Sequence, residues 1–267
     1  MERERIGISL GSLFPWSAFP LIDSIARIFA LPIAAAITRR VGATFWKVEP
    51  FKGVTAQGLE KINDIPVLFV EKPGTEMLAN TLWEELRVGP YSWWNPTIFP
   101  ERDTSEERYQ EILKLPRVKH ITQSLSGVRH EDRVVEVSSE QGKSAAEFVE
   151  LAQKHNRKRP FVLNTKHLRE EGKESPLGPW DKAIEALLPY TDLVRFQPLN
   201  REELQRTLNE KELTGLIGIL LKLYGRYEGR FVIEVPPYLL GRGYFANPRR
   251  MVRILSRVRE VIETYAK

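Results

Sequence analysis

Four short stretches of this sequence share one design. Val134–Glu140, Pro160–His167, Leu193–Asn200 and Phe231–Pro236 each run from consecutive apolar residues into a polar cluster. A strand that alternates apolar and polar residues buries one face. A strand that is apolar throughout buries both, as in a parallel sheet covered by helices. Helix-length segments separate the four, as parallel strands require. Repeated round a closed sheet, such units bring every strand's C-terminal end to one rim, so the polar residues that end the strands are expected to line a single mouth.

The rest of the chain supplies four more candidate strands, in Arg5–Phe14, Ala43–Pro50, Ile65–Pro73 and Val118–Ser124. Gly7 and Gly11 in the first allow close approach. Helices are expected over Phe19–Arg40, from Gly74 to about Leu86 with Thr75 as N-cap, and over Ser105–Leu115, Ser144–His155, Trp180–Pro189, Arg201–Tyr227 and Pro248–Ala266, the last with Asn247 as N-cap and Pro248 at its first position. Pro32 is expected to kink or split the first. Leu168–Pro179 reads as a charged loop. Only about ten residues separate the fourth and fifth strands, short of the dozen or more that a full crossover takes, so the fourth helix is expected to shrink to a turn. The expected fold is α/β: a single (β/α)8 TIM barrel, one domain over residues 1–267.

Composition narrows the function classes. Hydrophobic residues make up 42% of the 267, enough for a large core. There is no Cys, which excludes disulfides and thiolate metal sites and fits a cytoplasmic location. Met1–Arg5 is mixed in sign and leads into a strand, unlike a secretory signal. The net charge of +5 is spread among interspersed acids and bases, so nucleic acid is not the expected partner. Ile28–Ile37 is nearly all apolar, but Asp23 and Arg27 interrupt the helix and the clean run is too short for a membrane span. It suits a barrel wall or a subunit contact in a homo-oligomer.

At the mouth, the C-terminal strand ends bring four candidates together: Glu136, Asn164, Gln197 and Glu234, with His167 at the rim. Paired carboxylates can hold a divalent metal or move a proton between adjacent carbons. The amides of Asn164 and Gln197 could complete an oxygen-rich site. Arg195 lies two residues before Gln197, on the same strand face, and Lys47 is expected to point inward from the second strand. Such cations could pair with both Glu residues and take the place of a metal charge. A structural ion network therefore stands beside the catalytic reading. His120, ending the fourth strand, could line the mouth or serve as a hydrogen-bonded structural residue. Arg242, between Gly241 and Gly243 before the last helix, could form an anion site or an ordinary basic loop. The loop Arg87–Asp103, with Tyr91, Trp93 and Trp94, could be a lid or a packed connection.

From about Arg133 to Pro237 the sequence resembles the xylose-isomerase-like barrels, which include sugar-phosphate isomerases and epimerases and the endonuclease IV relatives. Val-Val-Glu136 is similar to the family's fifth-strand ending and Val-Ile-Glu234 to its eighth. Asn164-Thr165-Lys166-His167 matches the family's Asp-Thr-x-His except at the first position, and Gln197 stands where the seventh strand usually presents His. The resemblance implies a sugar or sugar-phosphate isomerase or epimerase in which Glu136 and Glu234 are both metal ligands and the acid/base pair, with His167 near the substrate. From their places at the mouth, Lys47, His120, Asn164, Arg195, Gln197 and Arg242 are the substrate-binding candidates. A divalent metal (Mn, Mg or Zn) would be the cofactor, although two expected ligands are replaced by Asn164 and Gln197. The alternatives are a non-catalytic barrel that binds a polyol or anion, and an endonuclease IV-like enzyme, for which four His are too few.

Overall fold

The computed structural model describes residues 6–13, 20–48, 56–62, 64–71, 106–170, 175–208, 227–235 and 248–265. Eight parallel strands close into a barrel in sequence order: β1 Ile6–Ser9, β2 Trp46–Val48, β3 Val67–Glu71, β4 Val118–Thr122, β5 Arg133–Glu136, β6 Phe161–Asn164, β7 Thr191–Phe196 and β8 Arg230–Ile233, with β8 pairing back to β1. The described helices that cover it are α1 Pro20–Val41, α2 Ala56–Glu60, α3 Glu106–Leu113, α4 Ala145–Lys154, α5 Thr165–Glu170, α6 Trp180–Leu187, α7 Arg201–Leu208 and α8 Pro248–Tyr265. The expected (β/α)8 barrel is therefore the fold.

Strand alternation divides the core into two shells. Phe45, Leu68, Val70, Ile121, Val134, Val162, Leu193 and Val232 fill the inside of the barrel. The alternate residues, such as Trp46, Val48, Phe69, Phe231 and Ile233, pack outward among helix residues that include Ala34, Leu204 and Leu255. Both faces of each strand are thus dry, which is why the strands read as continuous apolar runs. Gly7 faces inward in register with Val232, and a Cβ there would collide with the Phe45 ring. The absent side chain is the space that ring fills.

The connections meet one expectation and depart from others. Between β4 and β5 the chain makes only a 3-10 helix, Leu125–Arg129, the reduced fourth helix that its length required. Arg157, just past α4, clamps this turn by donating to the carbonyls of Val128 (3.0 Å), His130, Glu131 (3.2 Å) and Arg133 (2.8 Å). The α4 helix starts with a reciprocal cap: Ser144 Oγ accepts from the Glu147 N–H and the Glu147 carboxylate accepts from the Ser144 N–H. α1 runs through Pro32 and is not split. Leu168, expected to open a loop, is a buried residue of α5, which starts directly at the end of β6. The expected Gly74–Leu86 helix, the loop Arg87–Asp103, Asn247 and the Arg242 segment lie outside the described residues. No described helix is long and apolar enough to cross a membrane.

Candidate functional site

The C-terminal end of the barrel gathers charges that the apolar strands would otherwise exclude. Glu136 ends β5 and is buried; Arg195 lies within β7; Lys47, at the centre of β2, is fully buried; Glu234 follows β8 and is 13% exposed at its side chain. Arg195 forks onto Glu234, donating from Nε to Oε2 and from Nη2 to Oε1, each at 2.9 Å. Its Nη1 donates to Glu136 Oε2. Lys47 Nζ reaches Glu234 Oε2 at 2.8 Å. One guanidinium therefore spans both carboxylates, and the planar fork of arginine matches that task.

The charges balance: two carboxylates against two cations. A pair about 4 Å apart interacts by roughly 4 kcal/mol at an effective dielectric of about 20, so the three hydrogen-bonded attractions outweigh the two repulsions, carboxylate with carboxylate and Arg195 with Lys47. Burial pushes the Glu234 carboxyl up, but Arg195 and Lys47, through charge and hydrogen bonds together, hold it well below the usual carboxylate range. Both of its oxygens are occupied. Held this way, Glu234 is a weaker proton acceptor than a solvated carboxylate.

Glu136 differs. Its Oε2 faces Arg195, but its buried Oε1 has no hydrogen-bond partner. His167 Nδ1 lies 3.6 Å from that oxygen, on a side chain 43% exposed. His167 is held there by local structure. Asn164 Oδ1 accepts from the Lys166 N–H at 3.0 Å, the position of a helix N-cap, and lies 3.5 Å from the His167 N–H. Thr165 Oγ1 extends the β6–β7 ladder, donating to the Arg195 carbonyl at 3.1 Å and accepting from the Gln197 N–H at 3.1 Å. The helix thus begins the moment the strand ends, and its first turn carries the imidazole over Glu136.

The expected amide ligands are engaged elsewhere. Asn164 Nδ2 donates to Gln197 Oε1 at 3.2 Å while Asn164 Oδ1 caps α5. The residues at the two departures from the metal pattern are thus bonded to each other. With both amide oxygens so used and a guanidinium between the carboxylates, the residues present do not fit a divalent metal. No cluster of three or more His, Asp or Glu suited to a metal occurs among the described residues.

For His120 the structural alternative is the one observed. Ile121 points into the barrel, so its neighbour points out; the His120 Nε2 faces the Leu113 carbonyl of α3 at 3.4 Å. It supports the barrel wall and does not line the mouth. Arg242 lies outside the described residues. Gln141, which the sequence reading passed over, fixes the backbone below Glu136: Nε2 donates to the carbonyls of Glu136 (3.1 Å) and Gln123 (2.8 Å), and Oε1 accepts from the Ser138 N–H (3.1 Å). Its signal was present as Ser138-x-x-Gln141, a capping-box pattern.

No family profile matches the chain, and no curated protein matches it. Among solved structures, the fold superposes on an L-ribulose 3-epimerase with a TM-score of 0.52, over 98% of this chain and 95% of that one, at 12% sequence identity. Superpositions on AsfvAP:AG (TM-score 0.44, 11% identity, 99% of each chain) and on an uncharacterized protein from Parabacteroides distasonis (0.41, 10%, 98% of this chain and 99% of that one) are looser. At these identities the likeness is one of fold, a closed parallel barrel of the kind the epimerase shares.

Proposed function

We propose that the barrel mouth takes a small hydroxylated carbonyl compound, a sugar or sugar phosphate, and moves a proton at the carbon beside its carbonyl without a metal. The observation that carries this reading is the buried Glu136 Oε1, which lacks a hydrogen-bond partner and lies 3.6 Å from a half-exposed imidazole. A buried acceptor left without a donor is costly in a merely structural site. A substrate C–H or hydroxyl presented from the mouth would meet it. The epimerase-like fold supports the substrate class.

The step balances as follows. Glu136 takes the proton from the carbon next to the carbonyl; the C–H electron pair forms the C=C bond of an enediol, while His167 as an imidazolium gives a proton to the carbonyl oxygen. Glu136 then returns its proton to the former carbonyl carbon while His167 takes the hydroxyl proton from the carbon first deprotonated, where the C=O reforms, so that ketose and aldose interconvert. An imidazole can both give and take a proton at its ring nitrogens, which suits it to that exchange. Because Glu234 is held ionised, a single base works from one face. Aldose–ketose isomerisation is therefore favoured over inversion at one carbon, which needs groups on opposite faces.

The test is deuterium uptake from D2O into a panel of ketoses, aldoses and their phosphates, with chelator present, followed by NMR. Wild type incorporates deuterium, and Glu136→Gln and His167→Asn each lose on the order of a hundredfold or more, the usual scale of general acid–base catalysis. Activity retained in Glu136→Gln, or abolished by chelator in wild type, would overturn the proposal. A second reading, ligand binding without turnover, is favoured by the closed, charge-balanced network of Glu136, Arg195, Glu234 and Lys47. It predicts sugar binding by calorimetry with no deuterium uptake.

A further inference from the structure

We infer that Arg195 and Lys47 act as a built-in counter-ion in the space between Glu136 and Glu234, so that the mouth excludes divalent cations and would gain a site for one if those two side chains were neutralised. Two features of the geometry carry this. The guanidinium touches both carboxylates at once, with three of its N–H groups directed at their oxygens. The ammonium adds a second positive charge on the Glu234 oxygen that Arg195 Nε already holds. Together they supply two positive charges to two carboxylates, the sum a divalent ion would bring. Each cation is tied to the scaffold by its strand, so neither can diffuse away as an ion can.

The consequence is a site whose charge balance comes from the fold and does not depend on metal supply. A divalent ion entering the wild-type mouth would meet three of the four carboxylate oxygens already bound and two fixed like charges beside them. Once the guanidinium and ammonium are gone, the same two carboxylates would face each other across a space the size of a guanidinium group, without compensation. Carboxylate oxygens are the hard donors that Mn²⁺ and Mg²⁺ accept. The inference concerns charge balance alone and holds whether or not the site turns over a sugar, so it can fail independently of the proposed reaction.

The probe is Mn²⁺, followed by electron paramagnetic resonance and by melting temperature, on the full chain. Wild type is expected to show no stoichiometric Mn²⁺ binding and the same melting temperature with Mn²⁺ or chelator. The double variant Arg195→Gln/Lys47→Met is expected to bind one Mn²⁺ per chain at sub-millimolar concentration and to melt at a higher temperature when it is bound. Adding Glu136→Gln to the double variant should weaken binding at least tenfold. Arg195→Lys, which keeps a positive charge between the carboxylates, should remain without stoichiometric Mn²⁺. Stoichiometric Mn²⁺ in wild type that disappears in Glu136→Gln overturns the inference, as does a folded double variant that binds none. A double variant that folds only with Mn²⁺ supports it, and one unfolded in Mn²⁺ and chelator alike counts against it.

Discussion

Glu234 shows how a residue's neighbours change its chemistry. In isolation a glutamate is a serviceable base; here Arg195 and Lys47 outweigh the burial that pushes its carboxyl up and make it a fixed anion. The sign of the pH effect follows. A carboxyl whose folded-state value is depressed contributes stability at pH above its unfolded value, about 4.3, and loses it as the pH falls below that toward the folded value. Wild type should therefore lose stability as it is taken below about pH 4.3. Glu234→Gln, which leaves two buried cations facing one carboxylate, should be less stable at neutral pH by roughly 3–5 kcal/mol. The gap between the two should narrow on acidification below about pH 4.3, because the wild-type unfolded chain then takes up a proton at residue 234 that the folded chain does not. Urea unfolding across pH 3 to 7 measures it; a gap constant with pH would mean that Glu234 is not held as an anion.

At the scale of elements, the β4–β5 connection replaces a helix with one arginine. Arg157 donates to four carbonyls around the Leu125–Arg129 turn, groups that helix packing would otherwise have to satisfy. Hydrogen bonds from a charged donor are worth about 1.5–3 kcal/mol where buried. With the side chain part-exposed, Arg157→Ala should cost about 2 kcal/mol in unfolding free energy. Arg157→Lys should recover little of it, since an ammonium cannot hold a planar fork. Full rescue by Lys would reduce the clamp to a charge effect. The short connection itself was legible from its length, and the strands were legible because burial on both faces leaves continuous apolar runs. α5 was not: Asn164 and Thr165 read as a strand's polar ending, and only a side-chain oxygen turned back on the Lys166 N–H makes them a helix start. Glu136 and Glu234 were legible as the polar ends of apolar strands, and Arg195 and Lys47 from alternation along theirs. For His120 the strand's end left two readings open, and alternation, which sets Ile121 inward and His120 out, decides for the structural one. The pairing of Asn164 with Gln197, and the reach of one guanidinium to residues 59 and 39 positions away, exist only once the barrel closes.

Seen whole, the barrel interior is an apolar belt between two ionic layers. The upper layer is the cluster around Arg195. The lower lies at the strand starts, where Asp192 accepts from Arg230 and from Lys119 at 3.5 Å, and the Arg230 guanidinium stands 5.6 Å from the centre of the Phe45 ring. The layers carry the same kinds of charge but differ in solvent. The Lys119 and Arg230 side chains are 39% and 26% exposed, whereas Lys47 is fully buried and Arg195 nearly so. Partly exposed pairs are screened by salt and typically contribute about 1 kcal/mol or less, while breaking a buried pair strands a charge in low dielectric. Asp192→Asn should therefore cost about 1 kcal/mol or less, and less again in high salt. The roughly 3–5 kcal/mol cost of Glu234→Gln should barely respond to salt. With eight apolar residues between the layers, the two losses should add to within about 0.5 kcal/mol in the double variant. Denaturant unfolding of both single variants and the double, at low and high salt, tests this. A salt-sensitive loss at Glu234 would mean that water reaches the upper layer freely, and a charge network open to water could not stand in for a cation.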